Sequence, residues 1–164
     1  MKHTITVLVE NEFGVLSRVS GLFSGRGFNI ESLSVAPTLD ESISRMTIVT
    51  SGDDRILEQV TKQLNKLIDT IKVIDFTGEG EPYVERELIL IKVTAEEGTR
   101  AEVMRIADIF RANVIDVTPR SYTLEIMGSP DKIAAVIELL KPIGIKELVR
   151  TGPLALGRGA KGWR

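Results

Sequence analysis

Few side chains in this sequence are of a type that makes or breaks covalent bonds at neutral pH. There is no cysteine and one histidine, His3. Thiolate nucleophiles, thiolate metal sites and disulfides are therefore excluded, and a histidine-based metal site has no second imidazole to share the ion. His3 lies in an alternating run at the N-terminus and is expected as a surface residue at a strand end. Three carboxylate pairs stand out: Asp53-Asp54, Glu79 with Glu81, and Glu96-Glu97. Each sits beside a glycine, at a helix start or in a linker, where capping and solvation explain acidic residues without acid/base work. The run Gly157-Arg158-Gly159-Ala160-Lys161-Gly162 spells a dinucleotide-binding pattern. That pattern requires a preceding strand, a following helix and an acidic residue about 20 positions later, and with Arg164 as the last residue the match is expected to be accidental. No catalytic residues and no metal ligands are expected.

Binding chemistry is concentrated in Asn11-Glu12-Phe13-Gly14-Val15-Leu16-Ser17-Arg18. Alternation over residues 4–9 predicts a strand, and Val15, Leu16, Val19, Leu22 and Phe23 recur on one helical face, so a strand hands over to a helix here. Asn suits a helix N-cap because its side-chain oxygen accepts an orphan amide hydrogen, and Gly14 lets a ligand approach the backbone without meeting a Cβ. The helix N-terminus offers amide hydrogens and a positive dipole end to a carboxylate. Asn11 and Asn29 add neutral polar contacts, and Val15, Leu16 and Ile30 an apolar lining. Together they suit a zwitterionic amino acid with a short aliphatic side chain. Capping and chain reversal by themselves also place Asn and Gly at such a corner.

The elements that must position this corner are legible from periodicity. Gly25-Arg26-Gly27 ends the first helix, residues 28–35 and 43–50 form a strand pair around a polar turn, and Asp53 caps a second helix with the stripe Ile56, Leu57, Val60, Leu64, Leu67 and Ile68. Residues 71–76 supply a fourth strand. The order strand, helix, strand, strand, helix, strand is that of a split βαβ unit with both helices on one sheet face. Breakers and charges over residues 77–83 read as a linker. The order then repeats: a strand over 84–94, a helix opened by a Thr99 and Glu102 capping box, strands over 114–117 and 122–127 around Pro119-Arg120, a helix begun by Ser129-Pro130-Asp131, and a strand over 145–149. The expectation is α+β, two ferredoxin-like βαββαβ domains in tandem: a first domain over 1–77, a linker over 78–83, a second domain over 84–150, and a flexible tail over 151–164 that holds the only tryptophan.

Bulk properties narrow the partners. With 21 basic and 23 acidic residues the formal net charge is −2, so no global field draws the chain to nucleic acid or to anionic membrane. Aromatics make up 5% of the chain, too few on the central strands for the base-stacking platform of an RNA-binding sheet. No apolar run approaches the roughly 20 residues of a membrane span. A cytoplasmic protein is expected, with no nucleic acid or membrane partner.

The corner segment, followed by Gly25-Arg26-Gly27-Phe28-Asn29-Ile30-Glu31-Ser32-Leu33 and Ser44-Arg45-Met46-Thr47-Ile48, resembles the small regulatory subunit of acetolactate synthase (acetohydroxyacid synthase) of the bacterial type. The similarity extends to Val84-Glu85-Arg86-Glu87-Leu88, Ile115-Asp116-Val117-Thr118 and Arg150-Thr151-Gly152. It implies an N-terminal ACT domain that pairs with a second copy, and a C-terminal domain of similar topology. It also implies a partner, the large catalytic subunit, which carries thiamine diphosphate, Mg and FAD. The small subunit binds none of these cofactors, raises the partner's activity, and confers feedback inhibition by valine or another branched-chain amino acid. Carried over by position, Asn11, Gly14, Val15 and Leu16 contact effector from one protomer, and Asn29 and Ile30 from the other. Two other classes remain open at this point: an enzyme in its own right, and a stand-alone ACT-domain amino-acid sensor acting on a different enzyme or a transcriptional partner.

Overall fold

The computed structural model describes residues 1–78 and 80–162. Glu79, Trp163 and Arg164 lie outside the described residues, and with them one member of the Glu79 and Glu81 pair and the tryptophan of the tail. The chain divides into two compact units, one formed by Met1–Val84 together with the segment from Gly152 onward, the other by Glu85–Thr151.

The first unit runs β1 (Lys2–Glu10), α1 (Val15–Ser24), β2 (Ile30–Pro37), β3 (Ile43–Ser51), α2 (Asp54–Lys66) and β4 (Thr70–Asp75). Its strands pair antiparallel in the order β2-β3-β1-β4. Odd-numbered residues of β1, with Met46, Ile48 and Val73 beside them, meet Val15, Val19 and Phe23 of α1 and Val60 and Leu64 of α2 in one apolar core. The period of two in the strands and of 3.6 in the helices generates that core directly. Asp53 caps α2 as expected, its side chain accepting from Arg55 N. Helix α2 ends at Lys66, and Ile68, expected on its buried stripe, stands in the turn that follows, almost fully exposed.

The second unit repeats the order with β5 (Tyr83–Thr94), α3 (Arg100–Ile109), β6 (Asn113–Val117), β7 (Ser121–Gly128), α4 (Pro130–Leu140) and β8 (Ile145–Arg150), in the sheet order β6-β7-β5-β8. Ile89, Ile91, Val93, Leu124 and Ile126 face Val103, Ile106, Ile133, Val136 and Leu140 of its two helices. Ser129 caps α4, accepting from Lys132 N, with Pro130 in the first turn. The expected capping box at α3 does not form. Thr99 Oγ1 accepts from Glu96 N instead, tightening the preceding turn, and Glu102 pairs with Arg105 one turn along the helix. Both residues find nearer partners than each other's backbone.

Two expectations about the first unit's periphery are overturned. His3 is 2% exposed, with Nδ1 2.8 Å from Asp75 Oδ2 and Nε2 3.1 Å from Asp54 Oδ1. Strand alternation puts it on the helix-covered face, where the start of α2 closes over it. The reading of 151–164 as a flexible tail does not extend to its centre, where residues 154–157 form β9 (Leu154–Gly157), which pairs with β5. Ala155 is buried with Ile74 and Phe76, Tyr83 stacks on Phe76 at 5.1 Å, and Arg45 Nη2 donates to Ala155 O at 2.9 Å. A short apolar side chain and a free strand edge hold this segment despite its glycines.

No helix among the described residues is long and apolar enough to cross a membrane.

Candidate functional site

The corner between β1 and α1 is built on a backbone that only glycine adopts easily. Gly14 has φ 82°, in the left-handed region, and occupies the N-cap position of α1 without any side chain accepting from the first turn. The first intrahelical bond is Arg18 N to Gly14 O, 3.1 Å. The amides of Leu16 and Ser17 therefore have no acceptor within the helix and point out of its end, where the helix dipole is positive. A Cβ on Gly14 would meet only the Arg18 guanidinium, at 3.1 Å.

Asn11 does not cap the helix. It stands three residues before the N-cap, because Gly14 extends the turn, and its Nδ2 donates to Glu41 O at 2.9 Å while its own amide donates to Ser42 O at 2.7 Å. These bonds fasten the corner to the turn between β2 and β3 and leave the Asn11 side-chain oxygen as acceptor for an incoming donor. Val15 is buried in the core, so at the corner it offers backbone rather than an apolar wall. Leu16 is 42% exposed and Phe13 fully exposed on either side of Val15, and they are the apolar surface that the corner presents. Asn29 is exposed immediately before β2, and Ile30 opens β2 partly buried against the core.

Around the corner three acidic side chains stand against one basic one. Glu10, Glu12 and Asp69 bring carboxylate oxygens within 4.8 Å of one another, and Arg18 Nε donates to Asp69 Oδ2 at 2.8 Å. Asp69 is buried and Arg18 half-exposed, so the guanidinium both neutralises the buried acid and stands beside Gly14. The sequence pattern singles out neither Asp69 nor Phe13 as a site residue. Periodicity carries no signal for an ion pair 51 residues apart, although an exposed Phe beside a Gly is visible in the motif itself.

Sheet register decides how the six predicted residues can meet. Ile30 is opposite Thr50, and Thr50 is opposite His3 at the start of β1, whereas the corner follows Glu10 at its end, opposite Ile43. His3 and Glu10 are seven residues apart along one extended strand, about 24 Å at about 3.4 Å per residue. Within one copy, Asn29 and Ile30 are thus at the opposite end of the sheet from Asn11, Gly14, Val15 and Leu16.

The same halves of the chain are those that known families match. Residues 5–72 match the family described as the AHAS small subunit-like ACT domain, and residues 86–159 match the small subunit of acetolactate synthase. A probable acetolactate synthase small subunit of Archaeoglobus fulgidus is 56% identical over 161 residues, covering 98% of this chain and 99% of that one. The acetolactate synthase small subunit of Aquifex aeolicus is 58% identical over 158 residues, 96% of this chain and 81% of that one. The crystal structure of the small subunit from Thermotoga maritima superposes with a TM-score of 0.86 at 37% identity, covering 98% and 99% of the two chains. An open glycine corner on one βαββαβ unit, a second unit of the same topology and this near-complete coverage agree, and the chain belongs to the acetolactate synthase small subunit family.

Proposed function

We propose that the chain is the cytoplasmic regulatory subunit of acetolactate synthase, that it docks on the large catalytic subunit, which holds thiamine diphosphate, Mg and FAD, and that it confers feedback inhibition by valine or a related branched-chain amino acid. The effector carboxylate is received by the Leu16 and Ser17 amides at the start of α1. The Asn11 side-chain oxygen accepts from its ammonium group, and its aliphatic chain lies against Leu16 and against Ile30 of a second copy.

The observation that carries this reading is the register. Among the described residues strand β2 is an edge strand with one ladder, to β3, and an edge strand can continue the sheet into a second copy. In a two-fold pairing the β2 strands run antiparallel, so the Asn29 end of one copy is brought to the Pro37 end of the other. Register places that end beside the Asn11 corner. Residues that one chain holds about 24 Å apart then converge in two equivalent sites. Regulation follows if effector binds two arrangements of this pair with different affinity.

Calorimetric titration of valine into the purified chain tests the site, with Asn11→Ala and Asn29→Ala chains alone and mixed. Each variant alone is expected to lose binding. Mixed dimers carry one site with both asparagines intact, so an equimolar mixture recovers about a quarter of the sites. No recovery on mixing would place both residues in one chain's site and overturn the reading. A sensor serving another enzyme or a transcriptional partner would bind valine and leave the rate of reconstituted acetolactate synthase unchanged.

A further inference from the structure

Four of the segments singled out in the sequence are not used by the corner, and the fold ties them together. From Val84-Glu85-Arg86-Glu87-Leu88 comes Glu87, 1% exposed, which accepts from Arg150 Nε at 2.6 Å and Arg150 Nη2 at 2.9 Å. Its neighbour Leu88 is bonded on both sides by Thr151: Leu88 N donates to Thr151 Oγ1 at 3.1 Å, and Thr151 N donates to Leu88 O at 3.1 Å. These bonds fix the point at which the chain leaves the second unit. One peptide bond later Gly152, φ 74°, lies against β2 so closely that a Cβ there would be 2.6 Å from Ser32 Cβ and 2.7 Å from Ser32 Oγ. Ser32 belongs to the Asn29-Ile30-Glu31-Ser32 run, and its hydroxyl is buried with no hydrogen-bond partner among the described residues. From Ser44-Arg45-Met46 comes Arg45, which donates to Ala155 O. Arg158 then closes the segment, donating from its amide to Pro82 O at 2.9 Å and from Nε to Tyr83 O at 3.2 Å.

We propose that Gly152 to Arg158 is a transmission strap, in which the contact of Gly152 with Ser32 and the bond from Arg45 to Ala155 report the position of β2 to the unit that begins at Glu85. The inference rests on the reading of the corner as an effector site, since β2 carries Asn29 and Ile30 into it. Ser32 is two residues beyond Ile30 on the same strand, across a register break after which Leu33 joins Ile30 on the core face and Ser32 does not. A shift of β2 on effector binding must move Ser32, and a glycine packed on it with no side chain to yield has only its own backbone to displace. That backbone is bonded one residue earlier, at Thr151, to Leu88 of β5, whose neighbour Glu87 is held by the Arg150 side chain. Arg45 adds a second point of attachment on the adjoining strand; burial holds its guanidinium below the ordinary arginine value, the mark of a charge kept at the covered face rather than in water. Ser32, Arg45 and Gly152 touch no effector in this scheme and are positioning residues.

The test uses the full chain with the catalytic subunit, reading valine binding by calorimetry and valine inhibition by rate. Gly152→Ala forces a Cβ onto Ser32 and a side chain onto a left-handed backbone. Valine Kd is expected to stay within about threefold of the unsubstituted chain and activation to persist, while the valine concentration for half-inhibition rises about tenfold or more. Ser32→Gly in the same chain removes the atoms that the new Cβ meets and is expected to bring inhibition back. Arg45→Met, which removes the bond to Ala155 without touching Gly152, is expected to weaken inhibition in the same direction and carries the test if Gly152→Ala does not fold. Full inhibition in both substituted chains, or parallel loss of binding and inhibition, would overturn the strap. Absence of valine binding to the unsubstituted chain would instead overturn the effector site on which it rests.

Discussion

The corner after β1 and the corner after β5 occupy the same place in the same topology, and they are finished differently. In the first unit Gly14 turns left-handed, no side chain caps α1, and the helix end faces outward. In the second unit the corner is filled by the protein itself: Thr99 Oγ1 accepts from Glu96 N, and the Arg100 guanidinium donates to Ala95 O and to Pro119 O across the corner. The edge strands differ in length: β2 has eight residues and β6 five, and each breaks register once, β2 between Ile30 and Ser32 and β6 between Val114 and Asp116. The first corner thus has a left-handed glycine and the longer edge strand, and the second a guanidinium bonded across it and a shorter one, while neither helix start is capped by a side chain.

The largest effect is expected from placing one carboxylate in each corner. Gly14→Asp puts a negative charge and a side chain beside the Leu16 and Ser17 amides, next to Arg18, where the effector carboxylate is to lie. Valine affinity should fall by about a hundredfold or more, roughly 2.7 kcal/mol, with activation of the catalytic subunit retained. Gly98, in the second corner, has an ordinary φ and open space where a Cβ would stand, with no atom within 4 Å, so Gly98→Asp should leave both valine binding and stability close to those of the parent. If the two substitutions act alike on valine binding, the asymmetry of the corners is not functional.

Each unit also holds one half-exposed arginine against one buried carboxylate, Arg18 on Asp69 and Arg150 on Glu87. The second pair is bidentate and its acid is the more deeply buried. Removing the arginine strands the acid, so Arg150→Ala should cost about 2 to 3 kcal/mol, below the 3 to 5 of a fully buried pair because the guanidinium is half in solvent. Arg18→Ala should cost about 1 kcal/mol. Denaturant unfolding of the two variants measures the order, and a larger loss at Arg18 would show that Asp69 is the costlier acid to strand.

How much of this is legible in the sequence follows from the range over which each feature is determined. The two βαββαβ orders are readable because Ile5, Val7 and Val9, or Val103, Ile106 and Ala107, declare their faces within a single element. So is the Asp53 cap, settled two residues away at Arg55. Asn11 has the residue type of a cap and is not one, because a left-handed Gly14 moves the helix start, and a backbone angle leaves no trace in a periodicity. His3 looks exposed in sequence because its partners, Asp54 and Asp75, lie 51 and 72 residues on. The strand at 154–157 looks flexible because its anchor, Arg45, is 110 residues away. The six site residues can be named from the motif, but not that one chain holds them at opposite ends of a sheet; that follows from the register of three strands together.

The smallest effect compares the ends of the helices that the two corners begin. Helix α1 closes with Gly27 N donating to Ser24 O and Phe28 N to Phe23 O, and α3 closes with Arg111 N donating to Asp108 O and Ala112 N to Ala107 O. The two closures have the same bond pattern, with the residue at the turn left-handed in each: Gly27 at φ 73° and Arg111 at φ 54°. A side chain in that region costs about 1 to 2 kcal/mol, which glycine avoids. Arg111→Gly should therefore stabilise the chain, by less than about 1 kcal/mol because glycine also gains freedom in the unfolded state. Gly27→Ala meets no atom within 4 Å and should destabilise it by about 1 kcal/mol through backbone strain alone. In thermal unfolding these are shifts of about 2 to 4 °C per kcal/mol, of opposite sign. Valine affinity should not follow Arg111→Gly, which lies in the other unit, whereas Gly27 stands two residues before Asn29, so a change in affinity with Gly27→Ala would report displacement of Asn29 in the site.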